Sequence, residues 1–394
     1  LTTSTNTSCC SAKAPERIDF LYTDIGRGHP FYLDGIVESL PHALRGDITS
    51  VFTATRGIPH GLWRAAKAAY RLGSSAGGEN SPYSRLRKSS NFDAPGPLLR
   101  YAGRPLLHRF AERTGPLVVA HPILTALLRT HPHLIYQHGE IVVPPECLVK
   151  GQHITFVPTE EAADVFRTSA TTDAHKIIVT GLCIEPSLAD MGAKMVDQRQ
   201  QRFANAAALT GGFFSSGAEP SRHVTKLVTA ATSAVLRGGS AVVVAKQSGS
   251  FARHTTHAFK TRGLTLSTDS SQIPIAGALL RTYHNRAELD AITREHVPSL
   301  DYFVSPAHER TNWAVGLGLP MFIVDPSIGT FAPLNRAHLI AHGVAEALTN
   351  TYQTTTFGKR IESLWKTDTL AQRSKAGWGK YPINGFKTIT DWVT

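Results

Sequence analysis

The stretch from Arg17 to Leu40 restricts the possible folds of this chain more than any other. Ile18 to Tyr22 is a short apolar run of strand type. Asp24-Ile25-Gly26-Arg27-Gly28-His29-Pro30 is too rich in glycine to stay helical, and Phe31, Ile36, Val37 and Leu40 then recur at helical spacing. A strand that passes through glycines into a helix brings backbone N–H groups and the positive helix end over one spot, which suits an anion. A histidine in such a turn can serve as a general base beside that anion. The plainer alternative is a first βα turn with an incidental His29.

The same grammar repeats. Asp47 to Thr53, Leu117 to Ala120, His133 to Tyr136, Ile154 to Val157 and Lys176 to Thr180 read as strands, most of them ending in polar groups. His121-Pro122, Gln137-His138-Gly139-Glu140 and Pro158-Thr159-Glu160-Glu161 stand at such ends, with Thr159 placed to cap a helix. Ligands of open α/β sheets bind at the carboxyl ends of the strands. Pro186 to Arg202 is polar and reads as a linker. A second unit follows, with a strand at Asn205 to Leu209, a glycine loop at Thr210 to Gly217 and a periodic helix at His223 to Leu236. Ser240 to Ala245, Leu264 to Ser267, Ala278 to Thr282, Tyr302 to Ser305 and Met321 to Val324 are its further strands. Alternating strands and helices predict two α/β halves with parallel sheets.

A length of 394 residues fits two domains. The expected layout is a disordered tail at 1–16, a first domain at 17–186, a linker at 187–203 and a second domain at 204–375. A C-terminal helix at 376–394 is expected to return to the first domain. No apolar run reaches the length of a membrane span, and no clear secretion signal is read. Cys9, Cys10, Cys147 and Cys183 lack metal or disulfide spacing, which points to a reducing, cytoplasmic compartment. The net charge of +11 is uneven: between Arg56 and Arg113 there are eleven basic and three acidic residues, an excess of +8. Leu62 to Leu72 and Pro97 to Phe110 in this segment mix arginines with apolar and aromatic residues. Residues 56–113 therefore read as a peripheral contact with an anionic membrane surface, or else as a solvated helical hairpin with its apolar face in the core. No nucleic-acid motif accompanies the charge, so no nucleic-acid partner is expected.

The order of these motifs resembles the GT-B glycosyltransferases, in particular the branch of the monogalactosyldiacylglycerol synthases and the lipid II-forming N-acetylglucosaminyltransferase. Asp24 to His29 (D-I-G-R-G-H) is similar to that branch's acceptor-side glycine–histidine loop. Phe156 to Ala162, Val179 to Pro186, Leu209 to Gly217, and Gly316 to Pro326 followed by Asn335 are similar to its later motifs. The resemblance runs from about residue 17 to 350. It implies two Rossmann-like domains facing across a cleft, with inverting transfer of a sugar from a nucleotide donor, UDP-type, to a hydroxyl of a lipid or other hydrophobic acceptor. It implies no required metal and no cofactor besides the nucleotide sugar as substrate; the chain also lacks any D-x-D.

In that frame His29 is the base, or orients the acceptor, and Asp24 holds the loop or the histidine. Arg27, Gly28, His121, Gln137, His138 and Glu140 line the acceptor side. Gly211, Gly212, Phe213, Tyr283, His308, Glu309, Arg310, Thr311 and Asn335 are the donor-side candidates. Here the chain departs from the resemblance. Trp313 stands where the family's ribose-binding glutamate is counted, and Pro306-Ala307-His308-Glu309-Arg310 replaces a glycine-rich loop. Glu309 is then the ribose candidate, with His308 or Arg310 meeting phosphate, unless Trp313 blocks the nucleotide. Two other outcomes stay open: a GT-B nucleotide-sugar epimerase or hydrolase, and a binding protein that kept the fold without the chemistry.

Overall fold

Apolar runs that end in polar clusters become parallel strands in the computed structural model, which describes residues 16–25, 28–76, 92–169, 176–268 and 272–394. The expected N-terminal tail, with Cys9 and Cys10, lies outside the described residues up to position 15. The strands are β1 (Ile18–Tyr22), β2 (Arg45–Ser50), β3 (Leu117–Val119), β4 (Leu134–Gln137), β5 (Ile154–Val157) and β6 (Ile177–Val179), then β7 (Thr210–Phe214), β8 (Ser240–Lys246), β9 (Leu266–Ser267), β10 (Ala278–Tyr283), β11 (Tyr302–Ser305), β12 (Met321–Val324) and β13 (Ala345–Leu348). The first six form one sheet in the order β2-β1-β3-β4-β5-β6; the other seven form a second, β13-β12-β11-β7-β8-β10-β9. Neighbouring strands are parallel in both sheets. Both are therefore wound in two directions from a central strand. In the first sheet the chain runs from β1 to β2 and then crosses to β3. In the second it builds outward from β7 through β8 and returns to β11. Each reversal opens a crevice at the carboxyl ends of the strands, between β1 and β3 and between β7 and β11.

Four boundaries differ from the sequence expectation. The first helix starts at Gly28, so His29 and Pro30, expected in the glycine turn, lie in its first turn. The second strand stops at Ser50, whose hydroxyl caps a short helix from Val51, so Val51 to Thr53 is helical. The second domain's first strand begins later than read, and Gly211 and Gly212 lie inside β7 rather than in a loop. A side chain at Gly211 would meet the Tyr302 ring at 2.5 Å, and one at Gly212 would meet Leu300 at 2.5 Å. The glycines are there because Tyr302 on the adjoining strand and Leu300 just before it occupy their space. The stretch read as a linker forms the helices Pro186–Asp190 and Gly192–Asn205, packed on the second domain. Arg199 of the latter is fully buried and donates to the carbonyls of Leu300, Leu317 and Gly318. Those three acceptors are why a polar stretch with an arginine can be buried. Strand β13 escaped the reading because Ala345-Glu346-Ala347-Leu348 carries no β-branched residue.

The helix Gly385–Val393 brings the C-terminus back to the first domain, against the helix Gly28–Ser39. Phe386 lies edge-on to Phe31 with ring centroids 5.7 Å apart. Gly35 makes the approach feasible, because a Cβ there would fall 2.2 Å from the Phe386 ring. The basic hairpin, Gly57–Ala76 and Pro97–Phe110, buries Trp63, Ala102, Leu106 and Phe110 in the first domain's core. Arg109 and Arg113 pair with Asp47 and Asp19, so part of the local charge excess is neutralised within the fold. Ile58, Leu72, Leu98 and Tyr101 remain exposed, as do Arg56, Arg64, Arg100 and Arg104. No helix among the described residues is long and apolar enough to cross a membrane.

We expect Gly35→Ala to undock the C-terminal helix. Overpacking of this kind costs about 1–3 kcal/mol. Thermal unfolding should show the loss, and limited proteolysis should cut the C-terminus faster than in the wild type.

Candidate functional site

The first crevice is lined by the loop after β1 and the end of β3. Gly28 opens the helix Gly28–Ser39, and His29 in its first turn brings Nδ1 to 2.5 Å from the Ala120 carbonyl oxygen. A carbonyl only accepts, so Nδ1 carries the proton and the basic lone pair is on Nε2. His121 is the N-cap of the helix Pro122–Leu127, and its Nδ1 accepts from the Ile123 N–H at 3.1 Å. Its proton is therefore on Nε2. The two rings lie 4.4 Å apart between centroids. The crevice thus holds one imidazole with a basic Nε2 beside another with an Nε2–H donor. Arg27 lies outside the described residues. The Asp24 carboxylate is engaged on both oxygens: one accepts from the Ser50 hydroxyl at 2.9 Å and the other pairs with Arg286 at 2.9 Å.

The end of β4 turns toward the second domain. Gln137 is buried and donates to the Cys183 sulfur. His138 donates Nε2–H to the Val142 carbonyl at 3.1 Å and sits between the Phe166 and Phe331 rings. Burial, aided by nearby His29, pushes it down to about 4, so it is neutral at pH 7. Gly139 has no side chain because the Tyr32 ring fills that space. Glu140 accepts from the Asn335 side chain at 3.2 Å, and the Tyr32 hydroxyl points toward it. Desolvation first, opposed by the Asn335 bond and reinforced by the Glu309 carboxylate, raises Glu140 to about 7. An acid held there exchanges protons readily at neutral pH.

The second crevice lies between the ends of β7 and β11. Ser215 follows β7, is buried, and its hydroxyl has no protein partner among the described residues. The helix Ser221–Val235 begins a few residues later without a side-chain cap. On the β11 side Glu309 and Arg310 are both buried and paired at 3.2 Å. The Arg310 guanidinium also lies over the Phe214 ring at 5.0 Å and the Trp313 ring at 5.7 Å. Trp313 does not project into the crevice. Its indole is 2% exposed, packs on Phe214 and Phe303, and donates Nε1–H to Glu185 at 3.0 Å.

The donor-side candidates divide. Glu309, Arg310, Thr311 and Asn335 gather at this seam, and His308 lies beside them near His223. Asn335 donates to both Glu140 and the Ala307 carbonyl. Gly211 and Gly212 are held on both edges by β8 and β11, so their N–H groups are not loop donors; Ser215 onward takes that position. Phe213 is in the hydrophobic core beside Phe357. Tyr283 ends β10, two strands from β7. Residues that sequence reasoning missed are Tyr32, Glu146 and Arg286. Glu146 bonds the Thr330 hydroxyl across the seam. No local motif marks any of these, because their surroundings come from distant parts of the chain.

We expect stability to depend on pH through Glu140. Its folded-state affinity for a proton exceeds that of the unfolded chain, so its contribution is full below about pH 4.5 and is lost as pH rises toward 7. His138 acts in the opposite sense, because it is held neutral and the unfolded chain takes up its proton below about pH 6.5. The comparison is therefore wild type against Glu140→Gln in thermal unfolding from pH 5 to 8. The difference between them should shift toward the variant as pH rises, and a pH-independent difference would contradict the burial of Glu140.

No family model matches the chain, and no curated protein matches it in sequence. Solved structures do match in shape. UDP-GlcNAc 2-epimerase from Neisseria meningitidis, bound to UDP-GlcNAc, has a TM-score of 0.55 at 10% identity, over 96% of this chain and 99% of that one. A putative UDP-N-acetylglucosamine 2-epimerase from Listeria monocytogenes gives 0.55 at 10% identity, over 95% and 94%. UDP-GlcNAc 2-epimerase from Methanocaldococcus jannaschii, in complex with UDP-GlcNAc and UDP, gives 0.51 at 12% identity, over 96% and 98%. These likenesses show the fold: this chain consists of two Rossmann-like domains facing each other across a cleft, the GT-B arrangement.

Proposed function

We propose that this chain is a glycosyltransferase that takes a sugar from a UDP-type nucleotide donor and passes it to a hydroxyl of a hydrophobic acceptor, in the manner of the monogalactosyldiacylglycerol synthase branch. The observation that carries this is His29, whose Nδ1 is committed to Ala120 and whose Nε2 is the basic atom at the first domain's crevice. An alcohol is a poor nucleophile until a base takes its proton. His29 takes that proton, and His121 offers its Nε2–H beside it. The hydroxyl oxygen bonds to the anomeric carbon as the bond to the diphosphate breaks, and a single displacement of this kind inverts the centre. The leaving diphosphate is supported by the Ser215 hydroxyl and the uncapped start of the helix Ser221–Val235. Glu309 binds the ribose.

A second reading, a nucleotide-sugar epimerase, is favoured by Glu140. A fully buried carboxyl held at about 7 next to Glu309 suits proton transfer to and from the sugar without an acceptor. The solved epimerases bound to UDP-GlcNAc supply the ligand class to try.

The test begins with UDP, UDP-glucose and UDP-GlcNAc in thermal unfolding, since a ligand of the folded state raises its melting temperature. If none does so, both enzyme readings fall. We expect His29→Ala to keep donor binding and to lose turnover by roughly 10²–10⁴-fold, the usual share of a general base. Deuterium from the solvent appearing in recovered nucleotide sugar, abolished by Glu140→Gln and retained in His29→Ala, would overturn transfer in favour of epimerisation.

The anionic surface belongs to the same proposal. Exposed Ile58, Leu72, Leu98 and Tyr101 stand among Arg56, Arg64, Arg100 and Arg104, the pattern of an interfacial contact. We expect the chain to sediment with phosphatidylserine-containing vesicles at low salt and to lose most of that binding in Arg100→Glu/Arg104→Glu. Absence of sedimentation at low salt would remove the membrane from the proposal.

A further inference from the structure

We propose that Arg286 is a positioning residue that fastens the His29 helix to the second domain and so sets the width of the cleft. Its consequence for turnover rests on the nucleotide-sugar reading above; the fastening itself does not. Arg286 begins the helix Arg286–His296, which follows β10 and is capped by the Asn285 side chain. That helix belongs to the second domain, yet its arginines reach acids of the first. Arg286 pairs with Asp24 at 2.9 Å and with Asp34 at 3.0 Å, and its guanidinium lies 4.9 Å from the Tyr22 ring centroid. Two turns further on, Arg294 pairs with Glu38 at 2.7 Å. Asp34 and Glu38 are four residues apart on the helix Gly28–Ser39, so they share one face of it. Asp24 is in turn fixed by the Ser50 hydroxyl.

The geometry selects an arginine. A planar fork can hold two carboxylates and still lie over an aromatic ring, whereas an ammonium is a point charge. The two acids also lie on either side of the glycine–histidine turn: Asp24 precedes it and Asp34 follows it. One guanidinium therefore bridges both flanks of the segment that carries His29. Arg286 and both acids are about one-third exposed, 34%, 34% and 35% for the side chains. Water can reach the pairs, and salt can screen them. Separation of the domains must break all three ion pairs, while the buried seam at Trp313 and Glu185 lies elsewhere on the interface. The clamp is thus a reversible contact.

The test is an interdomain distance on the full chain without nucleotide. Cys9 and Cys10 are changed to Ser, and spin labels are placed at Lys150→Cys and Lys359→Cys, both exposed. Wild type should give a single short distance at low salt. Arg286→Gln should raise the population of longer distances roughly tenfold, within the range of ordinary coupling energies. Arg286→Lys should fall between them. The exchange Arg286→Asp with Asp34→Arg should restore the short distance, because the new arginine faces both the introduced carboxylate and Asp24. Asp24→Asn serves as the second variant if Arg286→Gln unfolds, and should widen the distribution in the same direction. Salt should widen the wild type more than Arg286→Gln, in which only the Arg294–Glu38 pair remains to be screened. Unmoved distances in both Arg286→Gln and Asp24→Asn would overturn the proposal. With nucleotide sugar, Arg286→Gln should lower kcat by roughly tenfold at nearly constant affinity for UDP, with recovery in the exchanged pair. If distances respond while no nucleotide binds, the clamp stands and the transferase reading falls.

Discussion

The structure depends on a polar seam that two parallel sheets close between their carboxyl ends. Trp313 donates to Glu185, Asn312 to the Cys183 carbonyl, Asn335 to Glu140, and Glu146 meets Thr330. All of these groups are buried. A buried polar group without a partner costs about 1–3 kcal/mol, so each pair holds its members only while the two domains stay in register. The apolar part of the seam is shared as well: Ile141, Leu182, Ile184 and Leu188 pack in one cluster with Phe303, Trp313 and Val315. The orientation of these side chains and the raised pKa of Glu140 are therefore consequences of this seam.

That contact explains the departures from the expected donor site. Trp313 stands where a ribose contact was counted, but its ring is needed as the centre of the seam, flanked by Phe214 and Phe303 and covered by Arg310. Glu309 is drawn beside Tyr32 and Glu140 instead of pointing into solvent. Burial first, opposed by the Asn335 hydrogen bond and reinforced by the neighbouring Glu309 carboxylate, pushes Glu140 up to about 7. The histidines of the same region are divided by their partners. His138 is sealed between rings and held neutral, while His29 and His121 remain at the crevice with opposite proton placements.

Legibility followed the range of the interactions. Strand β1 and the helix that follows it could be read because apolar spacing acts over a few residues, although the helix starts at Gly28, three residues before the expected Phe31. Thr159 could be read as a cap for the same reason, and its side chain does accept from the Ala162 N–H. Gly211 and Gly212 were misplaced because a glycine pair has the same local signature in a loop and in a strand; only Tyr302 and Leu300 on other elements tell them apart. The helix Gly192–Asn205 was unreadable because its burial depends on the distant carbonyls of Leu300, Leu317 and Gly318 that pair with Arg199.

By itself, the sequence determined two α/β halves, the crevice-facing ends of their strands and the placing of His29 just after the first strand. These follow from periodicity and turn chemistry, which are local. Only the tertiary structure decided that Asp24 is held by Arg286 and Ser50, that Trp313 belongs to the seam, and that Glu140 faces Glu309. The physical reason is that a side chain's charge, partner and proton are fixed by what excludes water around it. Around His138 and Glu140 the groups that exclude water come from both domains, Tyr32 and Phe166 from the first and Phe331 and Asn335 from the second.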